Sequence, residues 1–321
     1  MAEVVFGIGT SHTPMLSMSP QRWPELGEQF DRAMPELDFD ARAAHAPDWL
    51  PAELNSNVWK DKYEAAQRAL DQLRVTMGRV APDVVLIVGN DQEEMFLEYT
   101  PMFALMKADV ARDMPADMSS LPKPLREAWW AYHGDKPVEY PLVSSLDDHL
   151  IKALADGGFD IAVCTDQTEG RSIGHAFTFV ERRIMPDFST PIVPIMINTY
   201  YPPNQASPAR CIELGQAIAQ AIKTWDNPAR IAVAASGGLS HFAVEADLDR
   251  KILRHLEHEE FDQLAAIPRE VLKLGTSEAL NWITAARILA EFGRRMHLIN
   301  YIPAYRSMAA SGVGIAFATW T

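Results

Sequence analysis

Apolar and polar positions along the chain fall into short β-branched runs separated by stretches of helical period. Val4–Leu16 (VVFGIGTSHTPML) opens the series: an apolar run reads as a buried strand, ends in Gly9, Thr10 and Ser11, and presents His12 just ahead of Pro14. Proline cannot continue a strand ladder, so the strand stops about there. Val84–Val88, Asp160–Cys164, Ile192–Asn198 and Ala229–Ala235 are further strands by the same pattern, and Val313–Trp320 is apolar enough to be a last one. Between them, Val58–Arg79 carries Leu70, Leu73 and Met77 on one helical face and is closed by Ala81-Pro82. Leu150–Asp156 ends a helix at Gly157-Gly158, and Cys211–Trp225 has apolar positions at helical spacing. Residues 247–296 read as helical throughout, with turns at Pro268 and Gly275. Strands alternating with helices predict an α/β fold, a mostly parallel central sheet with helices on both faces, in a single domain over 1–321.

Two stretches interrupt the alternation. Residues 17–57 are rich in Pro, Asp and Ala and long for a connection, as a lid or substrate loop would be. Residues 100–148 contain PADMSSLPKPL and GDKPVEYPL and read as surface connection plus a short helix around 125–132. Composition then narrows the function classes. A formal net charge of −14 argues against nucleic acid or an anionic membrane surface as partner, since both need a basic face. Cys164 and Cys211 are too few for a disulfide framework or a thiolate zinc site. No signal peptide or membrane-length apolar stretch is recognisable, so a cytoplasmic protein is expected.

The strand ends concentrate the chemistry. The first, second and fifth strands deliver His12, the Asp91-Gln92 pair and His241, the last on a Ser-Gly-Gly-Leu-Ser turn, and the loop after the third leads to His175. Carboxyl ends of parallel strands line the ligand crevice of open α/β sheets, so these residues can converge. Neutral imidazoles with a carboxylate suit a divalent transition metal, and two histidines with one carboxylate is the arrangement of non-haem Fe(II) oxygenases. His133, His149, His255, His258 and His297 lie in loops or on helices and read as solvated, whereas His45 lies in the lid stretch and stays a candidate. Tyr200-Tyr201-Pro202-Pro203 suggests an aromatic wall for a substrate.

These residues resemble the class III extradiol ring-cleavage dioxygenases, the LigB-like superfamily. Ser11-His12-Thr13-Pro14 is similar to the family's S-H-x-P, Pro82-Asp83-Val84-Val85 with Asn90-Asp91 and Phe96 to its second-strand motif, and Gly174-His175 to its substrate-facing histidine. Gly237-Gly238-Leu239-Ser240-His241 matches G-G-[LM]-S-H, and Glu278, four residues before Trp282, matches E-x-x-x-W. The resemblance implies an enzyme that inserts both atoms of O2 into a catecholic or hydroxypyridone-type ring at Fe(II), and favours a homodimer. It implies His12 and Glu278 as metal ligands, His241 as acid–base residue, and His175 as hydrogen-bond donor to the substrate.

Two departures stand out. Gln92 occupies the place of the family's second iron histidine, so the third ligand is expected from Gln92 or His45. Ile173 replaces the aspartate before the substrate-facing histidine, leaving the partner that orients His175 unidentified. Rival readings are a metal-dependent hydrolase using the same histidines and a Memo-like binding protein without enzymatic activity.

Overall fold

A computed structural model describes residues 1–115, 117–119 and 121–321; Ala116 and Ser120, in the PADMSSLPKPL stretch, lie outside the described residues. The strands are β1 (Glu3–Thr10), β2 (Val84–Gly89), β3 (Phe103–Met106), β4 (Val110–Asp113), β5 (Val138–Pro141), β6 (Ala162–Cys164), β7 (Ile192–Ile197), β8 (Arg230–Ser236), β9 (His241–Ala243), β10 (Met296–Tyr305) and β11 (Ser311–Trp320). One sheet runs in the order β10-β11-β1-β8-β2-β7-β3-β6 with β9 on β11, and β4 and β5 pair separately. Its centre, β1-β8-β2-β7, is parallel throughout. β11 joins β1 antiparallel, and β3 joins β7 antiparallel. The α/β architecture with a large, mostly parallel sheet is therefore as the alternation predicted.

Period-two burial sends the central strands' side chains into two cores. Val84, Leu86 and Val88 of β2 face one; Val85 and Ile87 face the other. The first core is closed by α2 (Ser144–Asp156), α4 (Pro208–Thr224), α5 (Ala246–Glu257) and α6 (Ala279–Ala290), through residues such as Leu150, Ile218, Ile252 and Ile283. The second is closed by α1 (Ser56–Val80) and α3 (His175–Ile184), through Leu70, Leu73, Met77, Phe177 and Val180. Among the described residues no helix is long and apolar enough to cross a membrane.

The glycines of β1 permit a close approach. A Cβ on Gly9 would overlap the ring of Trp282 on α6, and one on Gly7 would overlap Leu289. Trp282 cannot swing away freely, because its Nε1 donates to Gly237 O at 2.9 Å. Gly9→Ala is therefore expected to destabilise the fold by about 1–3 kcal/mol, the usual cost of overpacking. Chemical denaturation checks this, and an unchanged midpoint would contradict the packing described.

Several elements differ from the sequence pattern. Residues 100–148 are more than surface connection: β3 is fully buried inside the sheet, and β4 and β5 form a ribbon. The short helix there is confined to Lys123–Arg126, with a 3-10 turn at Trp129–Ala131. Helix α3 lacks a start signal in the sequence: it spans ten residues, and Gly174 at its N-terminus supplies no capping side chain. The 247–296 stretch is not helical throughout; α5, the short helix Phe261–Ala265 and two 3-10 turns precede α6. β10 was missed because it carries Pro303 and polar residues, which an edge strand tolerates.

Candidate active site

β1, β8, β2 and β7 are neighbours, so the residues just past their carboxyl ends meet above one edge of the sheet. They deliver His12, Gly238 and His241, Gln92 and Tyr200, and all line a cavity of about 370 Å³. Glu278, at the start of α6, projects into the same space. Gly237 and Gly275 make room: a Cβ on Gly275 would overlap the His241 imidazole, and one on Gly237 would lie 3.0 Å from Glu278 Cβ.

Glu278 is the centre of the polar end. It is buried, and its Oε2 accepts from Gly238 N at 2.6 Å while its Oε1 accepts from Gln92 Nε2 at 2.9 Å. His12 Nε2 stands 3.3 Å from Oε1 and His241 Nε2 3.6 Å from Oε2. Burial opposes its ionisation, but charge taken up by His12 and His241 favours it more, and its pKa lies well below the carboxylate range. Glu278 is thus a buried anion ringed by Gly238 N–H, the Gln92 amide and two imidazoles.

The hydrogen bonds fix which nitrogen of each ring carries the proton. Ser236 Oγ donates to Ala176 O at 2.5 Å, so it accepts from His12 Nδ1 at 3.1 Å. Burial pulls the His12 pKa down and Glu278 pushes it up, with burial the larger effect; in the neutral ring Nε2 keeps a lone pair. Two acceptors, His12 Nε2 and Glu278 Oε1, therefore face each other, an arrangement that a cation between them resolves. His241 Nδ1 donates to Leu239 O at 2.8 Å, which leaves the Nε2 lone pair of the neutral ring 3.0 Å from Tyr200 OH, a hydroxyl that also lies 3.4 Å from Glu278 Oε1. That lone pair opens onto the cavity, where a substrate hydroxyl can replace Tyr200.

His175 begins α3 beside His12, ring centroids 4.8 Å apart. Its orienting partner is Glu94, which accepts from His175 Nδ1 at 2.8 Å and from its backbone N–H at 3.0 Å. Ile173, the residue at the family's aspartate position, is buried in the second core instead. Burial disfavours charge on His175, but Glu94 and Glu278 raise its pKa, so the ring tends to carry both protons and to donate from Nε2. Glu94→Gln keeps acceptor capacity but loses the charge, and Glu94→Ala loses both. The expected result is a kcat lowered roughly 10-fold for Gln and 100-fold for Ala, as for loss of an outer partner, with KM changed far less. Equal loss in both variants would assign Glu94 a purely structural part.

Behind Glu94, His133 donates from Nδ1 to the buried Asp113, which also accepts from Arg182 Nη2 at 2.6 Å. Burial lowers the His133 pKa, but Asp113 and Glu94 raise it further, to about 9. A folded-state pKa above the unfolded value of about 6.5 contributes stability that is complete below pH 6.5 and lost as pH rises through 9. Wild type is expected to lose on the order of 1–3 kcal/mol across that window relative to His133→Gln; denaturation at pH 6 and pH 9.5 measures it.

The donor set bears on a metal. Among the described residues no group of three or more His, Cys, Asp and Glu side chains is arranged to hold a metal ion. His12 and Glu278 supply a lone-pair nitrogen and an anion, and Gln92 is the third group beside them. Its amide oxygen and nitrogen are interchangeable by a flip, which would turn the oxygen inward. The set fits a divalent cation with an amide in place of the usual second imidazole.

The structure brings His12, Gln92, His175, Tyr200, His241 and Glu278 together. It does not bring His45, which is exposed, lies outside the cavity lining and donates from Nδ1 to Ala41 O at 2.8 Å. Tyr201 is not part of the cavity lining and its ring tilts against that of Tyr200, so of the pair Tyr200 lines the cavity. Residues 17–57 contribute Leu26, Phe30 and Met34 to the walls. Glu94, Tyr132 and Arg306 were not anticipated. Only Glu94 had a signal, its place in the Gly89–Glu94 run after a buried strand.

A family model described as the catalytic LigB subunit of aromatic ring-opening dioxygenase matches residues 41–290. The chain is 29% identical over 185 residues to 2,3-dihydroxyphenylpropionate/2,3-dihydroxicinnamic acid 1,2-dioxygenase of Comamonas testosteroni, covering 57% of this chain and 51% of that protein. It is 25% identical over 195 residues to gallate dioxygenase of Pseudomonas putida, covering 56% of each. The chain thus spans about half the length of the curated relatives it matches. A solved structure, that of uncharacterized protein JW3007 from Escherichia coli K12, superposes with TM-score 0.46 at 13% identity, covering 79% of this chain and 91% of that one.

Proposed function

We propose, from the premise that the chain belongs to the LigB family of catalytic subunits of aromatic ring-opening dioxygenases, that it cleaves a dihydroxylated aromatic ring beside the diol with O2. The observation that carries this reading is the buried anion Glu278 facing the His12 Nε2 lone pair inside an aromatic-sized cavity. His12, Glu278 and Gln92 would hold Fe(II), which when bound acidifies the diol hydroxyls and brings O2 and the ring to one centre.

The remaining residues handle protons and position. His241 Nε2, with its lone pair directed by the Nδ1 bond to Leu239 O, takes the proton of a diol hydroxyl and returns it to the opened product. His175, held by Glu94, donates from Nε2 to the substrate oxygen on which negative charge develops. Leu26, Phe30 and Met34 from the 17–57 lid cover the ring and exclude water. The relatives' names point to aromatic acids as the substrate class.

The test is anaerobic loading with Fe(II), addition of catechol, protocatechuate or gallate, and admission of ¹⁸O2. A yellow ring-opened product carrying both labelled atoms is expected. Label entering from H2¹⁸O alone would favour the hydrolase instead, and no product from any diol would reject ring cleavage.

A further inference from the structure

Of the residues lining the cavity, Arg306 is the one Lys or Arg, and it lies just past β10 beside the lid. It is 5% exposed, and its Nε and Nη2 donate to the two oxygens of the fully buried Asp31, at 2.7 and 2.5 Å. A guanidinium has five N–H donors, and this pair uses two of them. Among the described residues Nη1 has no protein acceptor, while the side chain lines the cavity. Anchoring the lid accounts for the edge bound to Asp31. It does not account for a cation at an otherwise apolar wall, because a buried ion pair is no better an anchor than packed apolar side chains.

The geometry points to Arg306 as the group that reads a carboxylate on the substrate, an inference that rests on the ring-cleavage reading above and names its substrate class. Phe30, next to Asp31 in the chain, and Met34, three residues after it, supply the apolar surface for the arm that carries it. The diol belongs at Glu278 and His12, where acceptors and a metal position meet. Glu278 and Glu94 accept the hydrogen bonds offered at that end, from Gly238 N, Gln92 and His175, so Arg306 is the donor left for a carboxylate and sets which way round the molecule enters. Asp31 holds the guanidinium plane in place and cancels its charge. One carboxylate can then share the fork, whereas a dianionic phosphate or phosphonate would meet too little counter-charge.

The experiment compares a catechol bearing a short carboxylate arm with the methyl ester of the same compound, on Fe(II)-loaded protein. The acid is expected to exceed the ester by about 10-fold or more in kcat/KM, the worth of a hydrogen bond to a charged group. In the Asp31→Asn/Arg306→Gln protein, which leaves no lone buried charge, that ratio is expected to fall to within about 3-fold of unity. Arg306→Lys is the companion variant: it keeps a charge against Asp31 but lacks the second edge, and is expected to lose most of the ratio too. A wild-type ratio near unity overturns the inference, as does a ratio that survives either variant. Calorimetric titration of acid and ester in the absence of O2 reads the same preference without turnover. Preferential binding of the acid without cleavage would therefore reject ring cleavage and retain Arg306, and cleavage of both compounds alike would do the reverse.

Discussion

Replacing Glu278 with alanine is expected to abolish iron retention and ring cleavage together. Glu278 is the anion among the three groups assigned to the metal, and a lone imidazole with a neutral amide oxygen is a poor site for a hard divalent ion. The loss should exceed the roughly 10–100-fold that removal of an outer partner costs. The substitution also strips Gly238 N–H and the Gln92 amide of their acceptor, while removing a charge whose burial is itself costly. Folding is therefore monitored alongside by circular dichroism. Glu278→Gln, which keeps an acceptor for Gly238 N–H but not the charge, should fold normally and still lose the iron. Gln92 supplies the contrast: Gln92→Ala is expected to weaken iron binding partially, and Gln92→His to tighten it, since imidazole is the better nitrogen donor. Iron content after anaerobic loading and desalting decides. A Glu278→Ala protein that holds one iron and cleaves at the wild-type rate rejects the ligand assignment.

His241→Ala and His241→Gln are expected to cut kcat by roughly 10²–10⁴, the usual share of acid–base catalysis, while iron and substrate binding change little. The warrant is the fixed tautomer. Leu239 O occupies the Nδ1 proton, so Nε2 faces the cavity as an acceptor, with Tyr200 OH at 3.0 Å where a substrate hydroxyl can stand. The competing role, a metal ligand, is open to the same nitrogen, which lies 3.6 Å from Glu278 Oε2. Iron content and single-turnover cleavage on one preparation separate them. Iron-depleted protein rejects the base; iron-replete protein cleaving at the wild-type rate rejects both roles.

Much of this site can be read along the chain because it sits on strand ends. A buried strand followed by small residues and a histidine, as at Thr10-Ser11-His12 and Gly238-Leu239-Ser240-His241, has a short-range signature: apolar run, turn, polar tip. The parallel sheet and the two helical faces follow from the same alternation, since burial and period are properties of neighbouring residues. Those local patterns locate His12, Gln92 and His241, whereas Glu278 is legible only through the resemblance to the family's E-x-x-x-W.

Partnerships across the chain are decided only by folding. Glu94 reaches His175 over 81 positions and Arg306 reaches Asp31 over 275, and no periodicity links residues so far apart. His45 looked as available as any histidine until the lid's path left it in solvent. Helix α3, short and without a capping side chain, and β10, an edge strand with a proline, carry too little local signal to be recognised alone. Which imidazole nitrogen holds its proton is likewise a tertiary fact: it depends on Ser236 and Leu239 being carried by β8 and its turn to the right side of each ring. Element type is written in neighbouring side chains, whereas orientation, charge state and substrate polarity arise from contacts that exist only once the sheet has assembled.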